Sequence, residues 1–154
     1  MKTVIYGRLT KKQLGTIKPL WEELNEIHFD DSVYFKDHFL AMSFETRAAR
    51  WQGLPEEDVH LLVVYDEKNV AVGYCVSTVK GDRSGEVDSL FLRPAFRGSG
   101  IGKTLMVKSV EWLNGRNCQP IRLAVSYGHE SVLGFYERLG FYPRLTILEW
   151  KTQE

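Results

Sequence analysis

The residues from Arg93 to Leu105, "RPAFRGSGIGKTL", have the types and spacing to hold an anion. A turn joining the C-terminal end of a strand to the first residue of a helix presents unpaired backbone amides at the positive end of the helix dipole. Gly98, Gly100 and Gly102 would let a ligand approach that backbone with no Cβ in the way, and a pyrophosphate fits such a cradle. Gly102-Lys103-Thr104 reads like the end of a nucleotide-binding P-loop, but that motif needs a glycine where this chain has Arg97. The alternating glycines do not match the dinucleotide pattern either. Just upstream, Glu86 and Asp88 alternate onto one face of a strand, where they are either proton acceptors or solvated strand-edge charges following "GDRSG". Cys75 and Cys118 lie far apart without a C-x-x-C neighbour. They read as buried small hydrophobes, and the sequence suggests neither a zinc site nor a disulfide.

The elements that must position these groups follow from periodicity. "TVIYGRL" reads as a short strand, and apolar residues at steps of three and four from Lys11 to about His28 predict an amphipathic helix. A second helix is expected from about Tyr34 to Trp51. "HLLVVYD" and "VAVGYCVSTV" form two strands around a tight turn, and "EVDSLFL" a third that Pro94 ends. A helix from Ile101 to near Gly115, the strand "PIRLAVS", a helix over 130–139 and a last strand, "FYPRLTILEW", complete the chain. The order β-α-α-β-β-β-α-β-α-β, with no repeat or linker, implies an α/β fold with one mixed sheet and helices on both faces.

Composition bounds the function. At 154 residues the chain fits a single domain over 1–154, large enough for its own core. Lys+Arg and Asp+Glu both number 20, which disfavours a nucleic-acid partner recognised by bulk charge. The opening apolar run breaks at Gly7, too early for a signal peptide, and no 18-residue apolar stretch occurs, so a cytoplasmic protein with no membrane partner is expected.

"EVDSLFLRPAFRGSGIGKTLM" followed by "SVLGFYERLGF" resembles the acetyl-CoA-binding core of the GNAT N-acetyltransferases, with Arg97, Gly100 and Gly102 satisfying the family's Arg/Gln-x-x-Gly-x-Gly/Ala loop. The resemblance implies a mostly antiparallel, splayed GNAT sheet and an acetyl-CoA co-substrate with no metal. It further implies that the amides of Arg97, Gly98, Ser99, Gly100, Ile101, Gly102 and Lys103 hold the pyrophosphate, while the backbone of Phe91 and Leu92 pairs with the pantetheine arm. Tyr136 takes the position of the family's thiolate-protonating tyrosine. His129 stands where an asparagine that contacts the cofactor is common, and Val132 replaces a small alanine.

Acetyl transfer needs a deprotonated amine, so a carboxylate that accepts its proton directly or through water is the natural helper. Glu86, eleven residues before Arg97, is the first candidate and Asp88 the second. In this family the first two helices form much of the acceptor wall. Here Glu22, Glu23, Glu26, Asp30 and Asp31, with His28, Tyr34 and Phe35, would suit a small cationic amine, or are the solvated face of a helix. A protein N-terminus or lysine is the alternative acceptor, and a non-catalytic acyl-CoA-binding module the alternative function. The apolar "LTILEW" is compatible with a homodimer and equally with a strand buried in a monomer.

Overall fold

Strands 59–65 and 71–79 are buried along nearly their whole length, which requires cover on both faces of the sheet they form. The computed structural model describes residues 2–152. Its sheet runs in the order β1 (Ile5–Leu9), β2 (Val59–Tyr65), β3 (Ala71–Val79), β4 (Gly85–Leu92), β5 (Ile121–Leu123). Neighbours are antiparallel except β4 and β5, which are parallel. On one face, Leu61, Val63, Tyr74 and Phe91 pack against α1 (Lys18–Asp31) and α3 (Phe44–Gln52). On the other, Leu62, Val64, Cys75 and Val87 meet α4 (Ile101–Gly115) and the shorter α5 (Leu133–Arg138). Each such side chain taken fully from water contributes about 2 kcal/mol before the entropy of ordering it. No helix among the described residues is long and apolar enough to cross a membrane.

Two irregularities of β4 give it a free edge. Ser77 pairs with Val87 and Val76 with Ser89, so Asp88 is the extra residue of a β-bulge. Moreover, β5 meets β4 only through Gly85, Glu86 and Val87. Beyond that point the strands part, and the β5-side edge of 88–92 has no strand partner among the described residues.

Three expectations need correction. The helix expected over 34–51 is two: α2 (Lys36–Ala41) ends at an extended Met42, and α3 starts anew where Ser43 Oγ accepts the amide of Thr46 at 3.1 Å. The first helix begins as a 3-10 segment, Lys11–Ile17, and becomes α-helical only where Pro19 can occupy the first turn without losing a hydrogen bond. The last strand, "FYPRLTILEW", is not formed. Its apolar residues have strand propensity, but a strand exists only beside a partner ladder, and this segment lies along none among the described residues.

Candidate active site

The glycine turn lies where β4 gives way to α4, by way of a single 3-10 turn, Pro94–Phe96. Gly98 and Gly100 both adopt φ of +86°, a left-handed conformation that glycine takes without strain. Thr104 is the first amide of this stretch to find a helical acceptor, donating to Gly100 O at 3.0 Å. The amides of 98–103 are therefore free among the described residues, at the positive end of a 15-residue helix. Gly102 lies differently: its φ is not left-handed, and a Cβ there would touch the Phe135 ring at an ordinary 3.5 Å. A cavity of about 380 Å³ borders the turn, lined by Ser99, Gly100 and Thr104 with Lys2 and Tyr6. Lys103 lies exposed at the helix start.

The free edge of β4 leads into this turn. Phe91 and Leu92 are buried there, and Arg97 folds back so that its Nε donates to Leu92 O at 2.8 Å with its guanidinium over the Phe91 ring. The site thus offers two features that fit coenzyme A: free amides for a pyrophosphate and an unpaired strand edge for an amide-bearing arm.

Glu86 and Asp88 share the face covered by α3, as their alternation predicts, but their surroundings differ. Glu86 is half-buried and ion-paired to Lys80 at 3.0 Å. Burial raises its pKa, but the hydrogen bond and charge of Lys80 outweigh this and hold it below the usual carboxylate range. Asp88 is buried; Thr78 Oγ1 donates to Oδ1 at 2.8 Å and Trp51 Nε1 to Oδ2 at 2.9 Å. Arg47 donates to its carbonyl at 3.1 Å. Burial pushes the Asp88 carboxyl above its ordinary value despite these donors. Trp51 and Arg47, on a helix distant in sequence, carried no signal that pointed to this contact.

Tyr136 packs on the opposite side of the sheet, with Phe135 and Phe141 edge-on to its ring, and burial pushes its phenol up to about 12. Cys75 is fully buried, its Sγ accepting from Ser109 Oγ at 3.2 Å, and burial raises its thiol to about 11.

The residues expected along the acceptor wall have different surroundings. Glu26 borders a groove of about 270 Å³ between α1 and α2 with Asp30, Phe29 and Phe39. Half-buried His28 faces Phe39 and the ring of His129, and Tyr34 stacks on Tyr127 at 5.9 Å. Phe35 caps α2. His129 Nδ1 lies 2.6 Å from Asp31 Oδ2, and so faces α1. Two acids of the wall are committed to partners, Asp31 to His129 and Glu23 to Arg93 at 3.0 Å.

The chain and its fold have known counterparts. An uncharacterized N-acetyltransferase of Methanocaldococcus jannaschii is 26% identical over 97% of this chain, which spans 66% of that protein's length. The paiA N-acetyltransferase from Thermoplasma acidophilum, crystallised with coenzyme A, superposes with a TM-score of 0.73 at 18% identity, over 94% of this chain and 93% of that one. The aminoglycoside N-acetyltransferase AAC(6')-Iy, also in complex with CoA, gives 0.71 at 15%, over 99% and 97%. At such identities these two likenesses show the fold. The model of the acetyltransferase (GNAT) family matches residues 20–141, and the chain belongs to that family.

Proposed function

We propose that this protein is an acetyl-CoA-dependent N-acetyltransferase of the cytoplasm, working as a homodimer on a small cationic amine. The observation that carries the reading is continuity: the free edge of β4 at 88–92 runs directly into the free amides of 98–103. Bound acetyl-CoA supplies a thioester carbonyl for attack.

The chain's own groups then have distinct tasks. The amides of 98–103 hold the pyrophosphate, and the edge at Phe91 and Leu92 orients the pantetheine arm, which requires Arg97 to release Leu92 O. Glu86, ionised at neutral pH and partly exposed, accepts the proton that the attacking amine gives up, through water where it does not reach directly. Asp88 has both oxygens committed and acts as a positioning residue, sharing Lys80 with Glu86. Tyr136 keeps its proton at neutral pH and gives it to the departing thiolate. A new N–C bond forms as the C–S bond breaks, with no acyl-cysteine in between. Full burial of Cys75 supports direct attack.

The groove at Glu26 and Asp30 pairs carboxylates with the rings of Phe29 and Phe39, chemistry that suits a cationic amine. The fold shared with an aminoglycoside N-acetyltransferase is in keeping with that class. The test is release of free CoA thiol from acetyl-CoA across amines, amino acids, aminoglycosides and short peptides, with mass spectrometry of products. An acetylated small amine is expected; an acetylated peptide would move the acceptor to proteins. Tight acetyl-CoA binding with no product from any acceptor would favour a binding module.

A further inference from the structure

Cross-strand partners share a face of the sheet, so Val76 places Ser89, and Tyr74 places Phe91, on the side that α1 and α3 cover. Glu86, opposite Thr78, lies on the same side two positions further along. The polar side chains of β4 on that face differ in what they have left to offer. Glu86 is paired to Lys80, and Asp88 is held at both oxygens by Thr78 and Trp51. Ser89 stands between these carboxylates and Phe91, half-buried, on the stretch 88–92 whose β5-side edge is free among the described residues. Its Oγ lies 2.7 Å from the hydroxyl of Tyr74, a residue fully buried beneath it.

A hydroxyl carries one proton and two lone pairs. If Tyr74 donates to Ser89, the Ser89 oxygen keeps one lone pair free; if Ser89 donates to Tyr74, it keeps both. Either way it can accept an N–H from a molecule at the free edge. Burial raises the Tyr74 phenol, so that group stays protonated and the bond fixes where the Ser89 oxygen points. Tyr136, assigned above to the departing thiolate, packs on the opposite side of the sheet, so the attacking amine comes to the thioester from the side of Glu86 and Ser89.

We propose that Ser89, anchored by Tyr74, positions the attacking amine: its Oγ accepts one N–H of the neutral amine and turns the nitrogen lone pair toward the thioester carbon. Ser89 forms no bond to carbon and takes up no proton; the proton released by the amine still goes to Glu86. The inference rests on the acetyl-transfer reading above and adds a contact to it. As the N–C bond forms, the nitrogen gains positive charge and a hydrogen bond from its N–H grows stronger. Loss of the accepting oxygen should therefore lower kcat more than it raises KM for the amine.

The experiment compares the native protein with Ser89→Ala, Ser89→Thr and Tyr74→Phe, using spermidine and hydroxylamine as acceptors, calorimetric titration with acetyl-CoA, and urea unfolding. Ser89→Ala should lower kcat about ten-fold with both acceptors while acetyl-CoA binds as it does to the native protein. Ser89→Thr keeps the oxygen and should recover most of the rate. Tyr74→Phe leaves the oxygen unanchored and should fall between the two. A purely structural Ser89 would move the unfolding midpoint and leave kcat in place, and that result overturns the proposal, as does a Ser89→Thr no faster than Ser89→Ala. Hydroxylamine is small and uncharged at neutral pH, so a loss confined to spermidine would make Ser89 a contact for the remote cation and also overturns it. A native protein that acetylates neither acceptor overturns this proposal together with the small-amine reading, whereas an active native protein whose kcat is unmoved by Ser89→Ala overturns this proposal alone.

Discussion

Trp51 donates its indole N–H to Asp88 Oδ2 at 2.9 Å, tying α3 to the bulge of β4. The bond crosses from helix to sheet within the buried face and holds a carboxylate whose ionisation burial already disfavours. Trp51→Phe removes the donor and leaves a gap at a residue only 1% exposed. A loss of about 3 kcal/mol is expected, from the cavity and the less satisfied carboxylate together. Urea unfolding measures it; a loss too small to resolve would mean that Asp88 does not depend on this contact.

Glu86 and Tyr136 act on protons, so their removal should slow turnover and spare binding. Glu86→Gln and Tyr136→Phe should each lower kcat by about 10²-fold or more, with acetyl-CoA affinity within a few-fold of native by calorimetry. The phenol at about 12 and a carboxylate below its ordinary range place both ionisations outside neutral pH. The rise of kcat/KM with pH near neutrality should therefore follow the pKa of the amine, shifting when a less basic amine is used. A profile unmoved by amine basicity would assign the rise to the protein.

The glycines of the turn separate folding from binding. A side chain at Gly100 must adopt φ of +86°, which costs about 1 kcal/mol or more, whereas Gly102→Ala meets only an ordinary contact with Phe135. Gly100→Ala should lower the unfolding midpoint and Gly102→Ala should not, yet both should weaken CoA binding if the ligand lies against this backbone. Normal CoA affinity in both variants would move the pyrophosphate elsewhere.

What the sequence disclosed tracks the range of the interactions. The turn at 97–103, the helix from Ile101 to Gly115 and the shared face of Glu86 and Asp88 are local patterns, and the structure has them where the local pattern put them. Trp51, Arg47 and Thr78 around Asp88 come together only through the packing of α3 on the sheet, and no spacing rule reaches that far. The bulge at Asp88 and the pairing of Glu23 with Arg93 are hidden for the same reason. For "FYPRLTILEW" the local pattern misled, because propensity reports what a segment can become and not whether an edge is beside it.

Gly128 locks the turn before α5 onto the end of α1. With φ of +102°, a Cβ there would fall 2.0 Å from the carbonyl oxygen of Asp31, a backbone atom that cannot step aside. Gly128→Ala should therefore displace the turn carrying Tyr127 and His129, at a cost of about 3 kcal/mol. If this junction shapes the acceptor side, KM for the amine should rise more than KM for acetyl-CoA. Equal changes in both would make the junction a matter of stability alone.

Stability below neutral pH should be set by histidines. Burial holds His28 and His60 at about 4, with His129 adding to the effect at His28 and Arg8 at His60, against an ordinary 6.5. Between those values the unfolded chain binds protons that the folded one refuses, so stability should fall as pH drops from 6.5 toward 4. Asp88 works the other way: its raised pKa means the folded chain holds a proton that the unfolded one has released, which favours the fold at lower pH. Two imidazoles, joined toward the acid end by the lowered Glu86, oppose the raised Asp88, and the net slope should follow the imidazoles. His60 stacks on Trp112 at 4.8 Å with its Nδ1 unpartnered, so His60→Phe keeps the stacking and deletes the titration. Urea midpoints from pH 7 down to about 4 should fall less steeply in that variant and more steeply in Asp88→Asn. An unchanged slope in His60→Phe would show that this imidazole takes up its proton without unfolding the chain.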